Sequence, residues 1–312
     1  MSGTEKKTFL CGFVLLAIAG CLPLLDTGYW LSLGVTIAMY TVLATSWALF
    51  SGPTHYIALS TAAFFGIGMY VVGGGIEILP FPVLVVIAAI VGALLSALIG
   101  LSTLRLSGVY FVIFTLGLTE LARELVTWIQ TTMGTSSGLY VLTDITETII
   151  YWELLFLAAI VYVVGWWIRR SRLGFALRII GNDEVVATHS GIDTARAKVA
   201  LFVVSGTFAS ITGALVAPRW TYVEPVIAFS PMISFLVVIM ALLGGVHRLW
   251  GPLVGVIPFA LVWDLISAQF PNQTTILLGV SFLLIVYVIP NGFVGLIEGA
   301  VARLKSGRGA GR

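Results

Sequence analysis

Glu120, Arg123 and Glu124 stand three and four residues apart inside an otherwise apolar run. That spacing puts them on one side of a helix. A single charge at the centre of a bilayer costs about 2.5–3.5 kcal/mol on insertion scales, so three together must face water or the protein interior. Thr127 and Thr131 continue the stripe towards the polar segment Thr131–Gly138. Two uses fit: a wall of a water-accessible vestibule, or an Arg–Glu clamp that fixes helix packing. A second group, Ser60, Thr61, Phe64 and Gly66, opens a short run that also holds Gly68 and Gly73-Gly74-Gly75. Small residues there permit close helix contact. A short, glycine-broken span also frees backbone groups that can hold a solute. His55 begins this segment as a lone interfacial histidine, and Asp264 is a further acid in a later apolar run.

The longest polar insertion is 169–198. Phe175–Ile180 reads as one short helix ended by Gly181-Asn182. Asp183-Glu184 suits the start of a second, Val185–Ser190, because acids favour a helix N-terminus. Gly191 is placed to stop it. Both short helices are expected to lie on a membrane face, either as a solvated connector stapled to anionic lipid by its arginines or as a contact element.

Catalytic patterns are missing. There is no His-Glu-x-x-His, no Gly-x-Ser-x-Gly and no phosphate-binding P-loop. Cys11 and Cys21 lack the His or Asp partners of a metal site and do not make a disulfide framework. No metal or cofactor is expected on the chain. A net charge of +2 is too small to argue for nucleic acid.

The elements that position these residues are membrane helices. The chain is 59% hydrophobic and 10% charged, where a soluble domain carries about 25% charge. A crossing helix needs about 20 mostly apolar residues. Ten runs qualify: Phe9–Leu25, Tyr29–Phe50, Tyr56–Val72, Pro82–Leu104, Val109–Ile129, Tyr151–Ile168, Val199–Ala217, Ile227–Gly245, Pro252–Phe270 and Thr275–Ile297. Lys6 and Lys7 before an apolar stretch ending Ile18-Ala19-Gly20-Cys21 resemble a lipoprotein signal, but the many later spans favour a retained first helix. With the N-terminus in the cytoplasm, alternation puts 14 of the 16 Lys and Arg residues inside, as the positive-inside rule requires. Arg123, within a span, and Arg219, outside, are the exceptions. An all-α polytopic fold with both termini inside follows, in a single transmembrane domain 1–312 with a basic tail over 298–312. Ten spans can divide into two inverted halves of five, with a path between them.

Ser171 to Leu215 resembles the branched-chain amino acid ABC transporter permeases of the LivM type. That family's pattern runs approximately S-x-x-G-x-A-L-x-A-I-x-x-x-E-x-x-A-x-x-x-G-I, and Ser171, Gly174, Ala176, Leu177, Ile179, Glu184, Ala187, Gly191 and Ile192 match it. Gly213-Ala214-Leu215 matches the end of the following span. The stretches LRLSGVYFVIFTLGLTELAR, LLGGVHRLWGPLVG and AAFFGIGMY are similar to further family blocks. The chain departs from the pattern at Gly52 to Thr61, which reads GPTHYIALST where many members have G-x-A-G-Q-x-S-L-G-H.

The resemblance implies a type II ABC importer permease in a bacterial inner membrane, carrying branched-chain or related small amino acids; relatives carry urea and short amides. It implies a second, LivH-like permease, two cytoplasmic ATPases that hold the ATP and Mg, and a periplasmic binding protein. On this reading 169–198 couples to the ATPases through Gly174, Leu177, Arg178, Asn182, Asp183, Glu184, Ala187 and Gly191. The path candidates are Ser60, Thr61, Phe64, Gly66, Glu120, Arg123 and Glu124. The competing reading is a secondary transporter with Glu120, Glu124 and Asp264 as ion sites.

Overall fold

The computed structural model describes residues 28–103, 106, 108–132, 138–182 and 184–288, together with 19, 20 and 23. The expected first span, Phe9–Leu25, and the basic tail 298–312 fall outside these apart from those three positions. The chain is helical almost throughout. In order it forms α1 (Tyr29–Thr54), α2 (Thr61–Gly75), α3 (Phe81–Thr103) and α4 (Val109–Thr132). Then come a two-residue strand β1 (Leu139–Tyr140), α5 (Glu147–Arg170), and the short α6 (Arg172–Asn182) and α7 (Glu184–His189). The remainder is α8 (Thr194–Val216), β2 (Tyr222–Val223), α9 (Pro225–Ala228), α10 (Pro231–Gly244), α11 (Gly251–Gln269) and α12 (Thr274–Val288). Among the described residues, the segments 29–54, 81–103, 147–170, 194–219, 225–244 and 251–269 are long and apolar enough to cross a membrane. α2 is shorter, at 15 residues.

Two helices form the centre. α8 packs on α1, α2 and α3, and α1 packs on α5, α10 and α11. Glycine permits the closest crossing. A Cβ on Gly68 of α2 would collide with the Ser210 carbonyl of α8, and one on Gly213 of α8 with the Phe65 carbonyl of α2. Such approach is how membrane helices gain contact where lipid supplies no hydrophobic drive between them. α3 shows the same logic as a stripe: Leu84, Ala88, Gly92, Ser96 and Gly100 recur every fourth residue and are buried. Ser210 of α8 donates to the Ala88 carbonyl at 2.8 Å.

Three expected spans differ from what forms. The run Tyr56–Val72 is not one helix: 55–60 is non-helical and α2 starts only at Thr61. His55, with φ 57°, turns the chain out of α1. Gly66 and Gly68 do not interrupt α2, and the glycine triplet ends it, at Gly75. The run Ile227–Gly245 is broken at Phe229-Ser230, because Pro231 opens α10 and holds Ser230 in an extended conformation. α1 runs on to Thr54 with Pro53 in its last turn.

The two ends of the bundle are built differently. At one, β1 and β2 pair antiparallel, Leu139 with Val223 and Tyr140 with Tyr222. Arg219 there pairs with Glu147 at 3.3 Å and donates to Ser32 and Thr36 of α1. Arg219, one of the two exceptions in the charge pattern, is thus a cross-link between three segments. The other end carries α6 and α7.

Candidate functional site

α4 sits at the edge of the bundle against α2, α9 and α10. Phe111, Thr115 and Thr119 face inward. Arg123 bonds Glu120 at 2.6 Å and Glu124 at 3.2 Å. The Glu124 side chain is 69% exposed, Glu120 40% and Arg123 29%. Both ion pairs lie within α4 itself and tie it to no second helix among the described residues. The triad faces the outside of the chain, and Thr127, bonded to the Arg123 carbonyl at 2.8 Å, carries the polar stripe on.

Behind this stripe, residues 58–60, the end of the non-helical segment before α2, are buried. Buried backbone without partners costs several kcal/mol in a membrane, and here hydroxyls supply them. The Leu59 N–H donates to Thr115 at 3.0 Å. The Leu59 carbonyl accepts from Thr119 at 3.1 Å and from Ser234 at 2.9 Å. Ser234 also accepts from the Ala62 N–H, an otherwise orphaned donor of the first turn of α2. Trp47 donates to the Ala58 carbonyl at 2.8 Å.

Ser60, Thr61 and Phe64, at 2%, 5% and 2% exposure, are therefore core residues rather than an open wall. Gly66 belongs with them, since a Cβ there would press on the Phe229 ring and the Ala228 carbonyl. The physical reason is that the segment spends its polar groups on α4 and α10. Of the path candidates, only Glu120, Arg123 and Glu124 reach a surface.

The 169–198 stretch forms the two expected short helices, with α6 longer than expected. Gly174 is required where α6 turns against the end of α5, because a Cβ would strike the Ile168 and Arg169 carbonyls. Leu177, Ile180 and Ala187 are buried and anchor the pair to the bundle. Gly191, at φ +77°, closes α7 as expected. Its N–H bonds the Thr188 carbonyl at 3.0 Å and the Ile192 N–H bonds the Ala187 carbonyl at 3.1 Å, a Schellman stop. Gly174, Leu177 and Ala187 thus hold the element in place and are not its outer surface. Phe175, 66% exposed, and Val186, 53% exposed, are outward residues that the sequence reading missed. Their sign was present: Phe175 is apolar but out of phase with Leu173, Leu177 and Ile180. Asn182 and Glu184 take part in α6 and α7, and Asp183 lies outside the described residues.

His55 is not isolated. Its ring lies 5.9 Å from that of His247, in the turn between α10 and α11. Asp264 accepts a hydrogen bond from the Tyr29 hydroxyl, joining α11 to the start of α1. No group of three His, Cys, Asp or Glu among the described residues can hold a metal ion.

These features define a multi-pass membrane protein whose exposed polar groups sit on a helix face and on a two-helix loop. Residues 29–289 match the family model described as the branched-chain amino acid transport system permease component. The chain belongs to that permease family, a non-catalytic membrane component of ABC transport. It is 23% identical to the high-affinity branched-chain amino acid transport permease LivM of Salmonella typhimurium, over 99% of this chain and 80% of that protein. It is 28% identical to the corresponding permease LivH of Escherichia coli over 48% of this chain and 47% of that one. It is 22% identical to the ribose import permease RbsC of Haemophilus influenzae over 45% of each.

Proposed function

We propose that this chain is one half of the membrane passage of an ATP-driven importer for branched-chain or related small amino acids in a bacterial inner membrane. The observation that carries this is the charged stripe on the outer face of α4. Three charges and a row of threonines facing lipid would be costly, so this face is covered by a second permease subunit and lines a wet path between the two. Similarity to both LivM and LivH supports a paired arrangement. The chain itself holds no cofactor. ATP and Mg belong to two ATPases that seat against α6 and α7, with Phe175 and Val186 as the apolar contacts, and a periplasmic protein delivers the solute. The ten-span, both-termini-inside topology makes the α6–α7 end cytoplasmic, in keeping with its Arg169, Arg170, Arg172 and Arg178.

The test is leucine uptake into proteoliposomes holding this chain with its co-purified partners. Uptake is expected to require ATP on the α6–α7 side and to survive a protonophore. Uptake that proceeds without ATP and collapses with the proton gradient would instead establish the ion-coupled reading, with Glu120, Glu124 and Asp264 as its sites. Urea or a short amide competing better than leucine would move the substrate class and keep the architecture.

A further inference from the structure

A cleft of about 520 Å³ opens at the α6–α7 end, beside the two short helices. Its walls come from the end of α1, the end of α5, the inner side of α6 and the turn between α10 and α11. Its ionisable lining residues are His55, Arg169, Arg178 and His247. Arg248 adjoins Arg169 in a smaller recess next to it. No acid is among the described lining residues of either. Three stretches distant in sequence, around residues 55, 169–178 and 247, thus bring cationic or protonatable groups to one concave space. Arg169 donates to the His247 carbonyl at 3.0 Å, which fixes the turn against the helix. Gly181 keeps α6 close to α1, since a Cβ there would come within 3.0 Å of the Pro53 carbonyl.

We infer that this cleft binds a tetrahedral oxyanion of the phosphate class, presented either by an anionic lipid headgroup or free in solution. Arginine forks suit such oxygens, and the combined charge exceeds what one carboxylate neutralises. The position, where helices end and arginines gather, is within reach of a headgroup. The histidines add a signature. Burial first, and then His55 and Arg169, hold His247 below the usual histidine range. A bound anion favours its protonated form, so by linkage the anion binds more tightly as pH falls through that pKa.

The experiment uses the purified full-length chain in nanodiscs. In neutral-lipid discs, inorganic phosphate and sulfate are titrated directly. In discs of mixed neutral lipid and phosphatidylglycerol, enrichment of the anionic lipid around the protein is measured by native mass spectrometry. Binding of the free anions assigns a soluble source; phosphatidylglycerol enrichment without it assigns a lipid headgroup. In either case Arg178→Gln, on an exposed side chain, is expected to weaken binding about tenfold, and Arg178→Lys to restore part of it. Sulfate keeps its charge, so its affinity, or the lipid enrichment, should rise at least about threefold once the pH falls well below the usual histidine range. His55→Asn with His247→Asn should flatten that rise. Failure of both probes, or binding indifferent to Arg178→Gln in a monodisperse protein, overturns the assignment. So does a pH response that persists in the double histidine variant. None of these readouts depends on transport.

Discussion

α3 and α4 are neighbours in sequence, similar in length and both at the edge of the bundle, yet only α4 carries a charged stripe on its exposed face. α3 turns Val86, Ile90, Leu94, Leu98 and Leu101 outward. α4 turns Glu120, Arg123, Glu124 and Thr127 to one side of its own apolar surface. Their inner faces differ in kind as well. α3 packs by small residues against α8. α4 lends hydroxyls to a stretch of chain that is not helical. On the proposed arrangement α3 meets lipid, whereas α4 meets water or a partner along its charged stripe and supplies hydroxyls to the interior behind it.

The largest expected effect tests the outer faces directly. Leu94→Lys puts a charge on the face of α3 assigned to lipid, at a cost of about 2.5–3.5 kcal/mol on insertion scales. Thr127→Lys puts the same group on α4 beside Glu124, where it gains an i,i+3 partner. Folded protein recovered from membranes should fall sharply for the first and stay near wild type for the second. Equal losses would mean that the two faces meet the same medium.

The inner faces predict a smaller split. Thr115→Val keeps the shape of the side chain but leaves the buried Leu59 N–H without its acceptor, a loss of about 1–3 kcal/mol. Ser96→Ala on α3 removes a hydroxyl that bonds only carbonyls of its own helix, at Gly92 and Ala93. Those carbonyls keep their ladder bonds, so the cost should stay below about 0.5 kcal/mol. Thermal unfolding in detergent measures both, and a Thr115→Val protein as stable as Ser96→Ala would show that Leu59 finds water.

These contrasts also mark what the sequence could reveal. The charge triad was legible because three ions in an apolar run are conspicuous and their spacing is local. The stop at Gly191 was legible for the same reason: every bond of that motif lies within a few residues. The split of the third span was not, because the segment's partners, Thr115 and Ser234, lie 56 and 175 residues away from Leu59. Serine and threonine carry no sign in sequence of which backbone they will serve. His55 looked solitary because His247 reaches it only through the packing of α1 with α10 and α11. The small size of Ser60, Thr61 and Gly66 signals close packing, and in the structure these residues and Phe64 are buried.

A small stability effect is also expected at Arg123, and it separates folding from transport. Its ion pairs are within one helix and partly exposed, and exposed pairs within a helix contribute about 0.3–0.5 kcal/mol each. Arg123→Gln should therefore melt close to wild type as a purified chain. In the assembled transporter the same change leaves Glu120 and Glu124 without their shared cation on the proposed path wall. Repulsion between two acids one turn apart then raises the barrier for any solute with a carboxylate. Leucine uptake should drop about tenfold or more, and Glu124→Gln added to Arg123→Gln should recover part of it by removing one of the two charges. A variant that loses folded protein but transports normally per folded molecule would place α4 against a packed neighbour instead. The distinction between the outer faces of α3 and α4 would then be one of packing and not of medium.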